Sequence, residues 1–394
     1  DRKPCMSMPL LFTPITLRSV TLPNRVALSP LCMYSAKDGL ANGFHFSHLT
    51  AVARGRAGLI FTEATAVAPE GRITHGCCGL WNDAQVEAYR PIVDAIIGFG
   101  SVPAIQIAHA GRKASVQPPW KGSTPLRAED AATGSPPWEC FGPTAEPVGP
   151  GWHAPTAMTE AKIQETVHAF AATAARAAKA GFRVLEIHGA HGYLIQSFLS
   201  PISNKRNDRY GGDLAGRMRF ALEVTEAVRA AWPADLPLFF RISAVDGPAE
   251  GWSLDDSVVL AKELKARGVD VVDCSAGGVS GAPAFRANDT GQPLRTRAER
   301  PPGFQVPYAE RVRRDAGVAT MAVGVIIAGD QAEAILQEGR ADLIAVGREL
   351  MYDPYWTLKA AESLGCDPGA KLWPDNYGWA IQRRAEIMAA AGRR

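Results

Sequence analysis

Short runs of apolar, β-branched residues recur along the chain at Val26–Leu28, Leu59–Glu63, Val102–Ile107, Phe182–Ile187, Leu238–Ile242, Val269–Cys274, Ala319–Val323 and Leu343–Val346. Near-continuous apolar character over so few residues is expected of strands covered on both faces. Between them the apolar positions take helical spacing. Asp83 reads as the N-cap of a helix through Val86, Tyr89, Ile92, Val93, Ile96 and Ile97, with Gly98 and Gly100 as its stop. Thr159 opens a helix through Ile163, Val167, Phe170 and Ala174 that ends at Gly181. Asp213 opens one through Leu222 and Val228 that Pro233 terminates, and Asp330 a shorter one through Ile335 to Gly339. Eight such strands alternating with helices predict an α/β chain folded as a closed (β/α)8 TIM barrel. The lack of G-x-G-x-x-G after any strand argues against a doubly wound open sheet.

Two stretches interrupt the repeat. Residues Ala108 to Met158 hold nine prolines and six glycines, with Trp120, Trp138 and Trp152, and form a long insertion after the third strand. Loops of that length are commonly lids or caps. Val279 to Gly303 is an extended, arginine-rich loop after the sixth strand. Both begin at strand C-termini, so both are expected to overhang the mouth of the barrel. The tail, 353–394, is expected to cap the barrel or reach a neighbouring subunit, and the whole chain, 1–394, to form a single barrel domain.

Composition narrows the classes. With 46% hydrophobic and 21% charged residues the chain is an ordinary globular protein, and a net charge of +2 spread along its length gives no nucleic-acid footprint. Seven cysteines without recurring spacing make no disulfide framework, and no C-x-x-C pair supports a zinc ribbon or iron–sulfur cluster. No run approaches the ~20 apolar residues of a membrane span. The expectation is a cytoplasmic protein without membrane or nucleic-acid partners.

The chemistry should lie at the strand C-termini, where barrels carry their active sites. Strand four runs into His188-Gly-Ala-His191 and Tyr193; the others end in Ser29-Pro-Leu-Cys-Met-Tyr34, Glu63-Ala64, Gln106, Arg241, Ser275-Ala-Gly-Gly278, Gly324 and Gly347-Arg348. The first five ends supply polar groups suited to a flat heteroaromatic ring. The last three supply glycines and one arginine, a composition suited to phosphate. His188 and His191 could bind zinc, but a third ligand is needed and H-E-x-x-H is missing, so no metal is expected. Two imidazole N–H donors aimed at one point would instead hold and polarise a carbonyl or nitro oxygen. Tyr193, protonated at neutral pH, can deliver a proton. Cys32 is either a buried hydrophobe or functional. Gln106-Ile-Ala-His-Ala-Gly-Arg-Lys113 gathers an amide, a histidine and two cations at the root of the insertion, and the roles of Arg112 and Lys113 stay open.

At Pro23-Asn-Arg25, Ser29–Tyr34, Glu63-Ala-Thr65, Gln106–Lys113, His188–Leu194, Ser203–Gly212 and Gly347-Arg348 the chain resembles the old yellow enzyme family of FMN-dependent ene-reductases, in particular its bacterial xenobiotic reductase branch. The resemblance implies that Ser29, Pro30, Leu31, Cys32, Ala64 and Gln106 cradle the isoalloxazine, Arg241 lies near its N1, and Gly278, Gly324, Gly347 and Arg348 serve the cofactor-binding loops, the last three as the phosphate site. It implies that His188 and His191 bind the substrate's activating oxygen, Tyr193 donates the proton, Tyr34 contacts substrate and Cys32 modulates the flavin. The implied reductant is NADPH or NADH, the substrates are activated alkenes, and the assembly is a homodimer or higher homo-oligomer. Leu31 and Val325 stand where that branch often has methionine, the 279–303 loop is longer than its pattern, and Tyr377-Gly-Trp379 approximates its aromatic or arginine tail contact. The alternative is a flavin-free phosphate-binding barrel, an aldolase, isomerase or metal-assisted hydrolase using His188 and His191.

Overall fold

The computed structural model describes residues 8–279, 300–367 and 369–392. Eight parallel strands close into a barrel: β1 Val26–Leu28, β2 Leu59–Ala66, β3 Val102–Ala108, β4 Val184–Gly189, β5 Leu238–Ser243, β6 Val271–Ser275, β7 Ala319–Ala322 and β8 Leu343–Val346. Each expected strand is present, in the expected order. The helices that follow them are α1 Gly43–Arg54, α2 Asp83–Gly98, α3 Glu160–Ala180, α4 Leu214–Ala231, α5 Leu254–Ala266, α6 Val306–Ala316, α7 Gly329–Gln337 and α8 Trp356–Ser363. Strands β4, β5 and β6 are buried at every position, which is why they read as continuous apolar runs and why their few polar residues stand out.

Thr159 caps α3 by accepting from Lys162 N at 3.2 Å, and Asp213 caps α4 by accepting from Gly216 N at 2.8 Å, both as expected. Two helix starts differ. Asn82, not Asp83, caps α2: its side chain accepts from Gln85 N at 3.1 Å, and the Gln85 side chain answers to Asn82 N at 3.2 Å. Asp83 falls instead in the first turn, where its charge suits the helix dipole. Helix α7 starts at Gly329 behind Ala328 and has no side-chain cap, with Asp330 again in the first turn.

Strand β2 runs three residues past its expected end, and its pairing with β3 shifts register between Phe61 and Ala64. Such an irregularity re-aims side chains. Glu63 does not line the cavity at the barrel mouth; it binds the backbone N–H of Met33 and, at 3.2 Å, that of Cys78. The polar group expected at this strand end therefore supports the Cys32 segment from behind, and Ala64 is left facing the cavity.

The insertion forms 3-10 turns at Gly111–Lys113, Pro119–Lys121 and Ala128–Thr133 and a two-stranded parallel pair, Phe141–Gly142 with Thr156–Ala157. The Ser203–Gly212 segment ties it down: Arg206 Nη1 donates to Pro143 O at 2.7 Å and Met158 O at 2.6 Å, and Thr144 Oγ1 donates to Ser203 O at 2.9 Å. Most of the arginine-rich loop expected at 279–303 lies outside the described residues. In the tail, Asp375–Ala390 is helical and Trp379 is exposed. Among the described residues no helix is long and apolar enough to cross a membrane.

Candidate active site

A cavity of about 680 Å³ opens at the C-terminal mouth of the barrel. It is lined by Ser29, Pro30, Leu31, Cys32, Ala64, Gln106, His188, His191, Tyr193, Arg241, Gly278, Gly324, Gly347 and Arg348, so every cofactor-binding and catalytic candidate from the sequence meets in one place. Tyr34 lies next door, lining a second space of about 1030 Å³ under the insertion that also takes in Lys113 and Tyr193. Tyr193 thus borders both.

Register explains the convergence. On neighbouring strands Gln106 pairs with Glu186, His188 with Arg241, and Arg241 with Asp273, so these side chains emerge at matched heights. Gln106 Nε2 donates to Glu186 Oε1 at 2.8 Å, which fixes the amide's orientation. Arg241 Nε lies 3.1 Å from Asp273 Oδ2, and its Nη1 is 3.4 Å from Ser29 Oγ. Burial pushes the Glu186 and Asp273 carboxyls up; the Asp273 charge adds to the shift at Glu186, and Arg241 opposes it at both. Neither carboxylate is among the functional candidates of the sequence, although an acidic residue inside an apolar strand is itself a signal of a buried ion pair.

The two imidazoles face each other, His191 Nδ1 lying 3.3 Å from His188 Nε2. Burial, reinforced by the Arg241 charge, holds both well below the usual histidine range, so both rings are neutral. Ala190 N–H donates to His188 Nδ1 at 3.2 Å, and His191 Nε2 lies 2.7 Å from Ser275 Oγ. His191 adopts a left-handed backbone, φ 60°, and is held there by its own N–H donating to Ser243 Oγ at 2.9 Å and by Lys113 Nζ donating to its carbonyl at 2.8 Å. Strained non-glycine backbone of this kind gathers at functional sites, and Tyr34 at φ 52° and Val325 at φ 53° share it at the cavity walls. Gly278 has a steric task on the histidine side: a Cβ there would come within 2.5 Å of His191 Cα.

Burial raises the Tyr193 phenol well above its ordinary value, so it remains a proton donor, and its ring stands edge-on to His188 with centroids 5.1 Å apart. Burial likewise raises the Cys32 thiol, which stays neutral. Lys113, left open by the sequence, has its Nζ 5.3 Å from the centre of the Tyr193 ring and is pushed down to about 8 by burial, with Arg112 adding to the shift.

Among the described residues the one group of three metal-ligand types is His45, Glu63 and Cys78, not the His188–His191 pair. Its atoms are engaged otherwise: Asn42 N–H donates to His45 Nδ1 at 3.1 Å, leaving the Nε2 proton toward Glu63 and Cys78.

The family model of the NADH:flavin oxidoreductase / NADH oxidase family matches residues 10–366. The chain belongs to this family. It is 43% identical over 372 residues to an NADPH dehydrogenase of Geobacillus sp. (strain WCH70), covering 94% of this chain and 98% of that protein. Among solved structures it is similar to morphinone reductase in complex with tetrahydroNAD, at TM-score 0.71 and 26% identity over 91% of this chain and 92% of the other. It also shares its fold with the old yellow enzyme homologue from Zymomonas mobilis, at TM-score 0.71 and 24% identity, over 90% and 93% of the two chains. The protein is a flavin-dependent oxidoreductase with FMN as cofactor and a nicotinamide as reductant.

The residues present fit that cofactor. The cavity's volume lies within the ~300–1,000 Å³ of small-molecule sites. One part of its wall carries an oriented amide, a guanidinium and a hydroxyl, at Gln106, Arg241 and Ser29, while β7 and β8 end in Gly324, Gly347 and Arg348. The flavin-free reading of the two histidines falls with the family assignment.

Proposed function

We propose that this enzyme reduces the C=C bond of alkenes conjugated to an electron-withdrawing oxygen group, as an NAD(P)H-dependent ene-reductase. The observation that carries the proposal is the placement of His188 Nε2 and His191 Nδ1 3.3 Å apart in a cavity wall shared with the protonated Tyr193 phenol. Two neutral imidazoles directed at a carbonyl oxygen draw electron density from the alkene and make its β-carbon electrophilic. FMN held in this cavity would supply hydride transfer between NAD(P)H and carbon. Tyr193 donates the proton to the α-carbon. Gln106 and Arg241 would hold the polar edge of the ring system, Ser29 to Cys32 and Ala64 would line its seat, and Gly324, Gly347 and Arg348 would hold its phosphate. Tyr34 contacts the substrate from the insertion side, and the neutral Cys32 thiol tunes the cofactor. The same reading takes the chain as one FMN-binding barrel domain acting on small molecules in the cytoplasm, assembled into homo-oligomers.

Isotope placement tests the proposal. With NADPH deuterated at its transferable position, 2-cyclohexenone should give cyclohexanone labelled at the β-carbon; with ordinary NADPH in D2O the label should sit at the α-carbon. NADPH consumption without saturated ketone would sink it.

A further inference from the structure

The hydrogen bonds around the histidine pair have a direction, and that direction does not match the one needed to bind an oxygen. His188 Nδ1 accepts from Ala190 N–H, so the His188 proton is on Nε2. That N–H faces His191 Nδ1 at 3.3 Å; a hydrogen bond between the two rings requires this Nδ1 to be bare, which places the His191 proton on Nε2. His191 Nε2–H in turn donates to Ser275 Oγ at 2.7 Å, and the Ser275 hydroxyl donates to Gln305 Oε1 at 3.4 Å. Gln305 is oriented by its own Nε2, which donates to Val323 O at 3.1 Å, so its oxygen is the end offered to Ser275. In this arrangement the single imidazole N–H turned to the cavity is spent on the other imidazole.

We propose that Ser275 is a positioning residue that switches His191 between tautomers when an oxygen ligand arrives. The proposal rests on the ene-reductase reading, which requires both His188 Nε2 and His191 Nδ1 to donate to one oxygen. His191 then carries its proton on Nδ1, and Nε2 becomes an acceptor. Ser275 is the group placed to satisfy it, by rotating its O–H from Gln305 Oε1 to His191 Nε2. The change is balanced: one proton leaves Nε2 and one arrives at Nδ1 by exchange with water in the open cavity, and the ring stays neutral throughout. A hydroxyl suits the task because it can both accept and donate. An alanine could do neither, and a permanent donor would forbid the resting tautomer.

Nitrogen-15 NMR of the FMN-loaded enzyme with labelled histidine reads the tautomer directly. Without ligand, His191 should show its proton on Nε2; saturation of the oxidised enzyme with 2-cyclohexenone, with no NADPH present, should move it to Nδ1. Ser275→Ala should abolish that move and weaken ketone binding about tenfold, the usual scale of one lost neutral hydrogen bond. Ser275→Thr, which keeps the hydroxyl, should restore both. Retained FMN and an unchanged melting temperature show that the alanine variant is folded. The proposal is overturned if His191 keeps one tautomer in both states of the wild type, or if Ser275→Ala binds and switches normally. Those outcomes leave alkene reduction by the wild type intact, whereas failure of the wild type to bind or reduce the ketone removes the ene-reductase reading itself and this switch with it.

Discussion

Arg241 and Asp273 sit at matched register on adjacent strands, the arginine Nε 3.1 Å from the aspartate Oδ2, with the Asp273 side chain wholly out of solvent. Removing one partner of such a pair leaves the other buried and uncompensated, at a typical cost of ~3–5 kcal/mol. Arg241→Met should therefore unfold at markedly lower urea and lose FMN. Combining it with Asp273→Leu should recover most of the stability but not the flavin, since only the arginine reaches the cavity. Equal FMN retention in the double variant and the wild type would show that Arg241 serves the barrel alone.

Tyr193→Phe keeps the ring against His188 and removes the proton. General acid catalysis contributes on the order of 10²–10⁴-fold, so stopped-flow reoxidation of the reduced enzyme by 2-cyclohexenone should slow by that range. Reduction of the flavin by NADPH should change by no more than a few fold. Equal loss in both half-reactions would contradict the proton-donor role.

The barrel was legible because β4, β5 and β6 are covered on both faces and announce themselves as apolar runs, and because Thr159 and Asp213 mark helix starts with side chains that do cap. Asp83 misled because acidic residues favour both the cap and the first turn, and only geometry separates the two. Glu63 misled for another reason: the register shift after Phe61 reverses which side chains face the mouth, and apolar patterning carries no trace of it. Of the site, His188, His191, Tyr193 and Arg241 could be read from strand ends. Ser275 could not be separated from the glycines beside it, and Gln305 precedes α6 in a segment with no chemical pattern. Their link to His191 is made across the ends of the adjacent strands β4, β5 and β6, far apart in sequence.

Gly324 has φ +117°, which L side chains rarely adopt, and a Cβ there would lie 2.8 Å from Gln305 Nε2. Gly324→Ala should cost about 1–3 kcal/mol and weaken FMN binding, seen as a lower flavin-to-protein ratio after gel filtration. A variant that keeps full stability and flavin would remove Gly324 from the proposed phosphate site.

Acid should weaken the fold through its buried histidines. His109 is pushed down to about 4 by burial, against an ordinary value of 6.5. A depressed folded value means that the unfolded chain binds the proton more readily between those limits. The contribution is complete above 6.5 and is lost as pH falls toward 4. For His109 the loss amounts to roughly 2 kcal/mol by pH 5. Urea unfolding at pH 7 and pH 5 should show a smaller drop for His109→Asn than for the wild type. An identical drop in both would place the acid sensitivity elsewhere, in His188 and His191, whose values are depressed in the same direction.

As proposed above, the cavity joining His188, His191 and Tyr193 lets an activated alkene reoxidise the bound flavin. Anaerobic spectrophotometry tests it most directly. The yellow holoenzyme is bleached with one equivalent of NADPH and then mixed with one equivalent of 2-cyclohexenone in the absence of air. Full return of the oxidised flavin spectrum is expected, with one equivalent of cyclohexanone formed. A spectrum that stays bleached until air is admitted would contradict it.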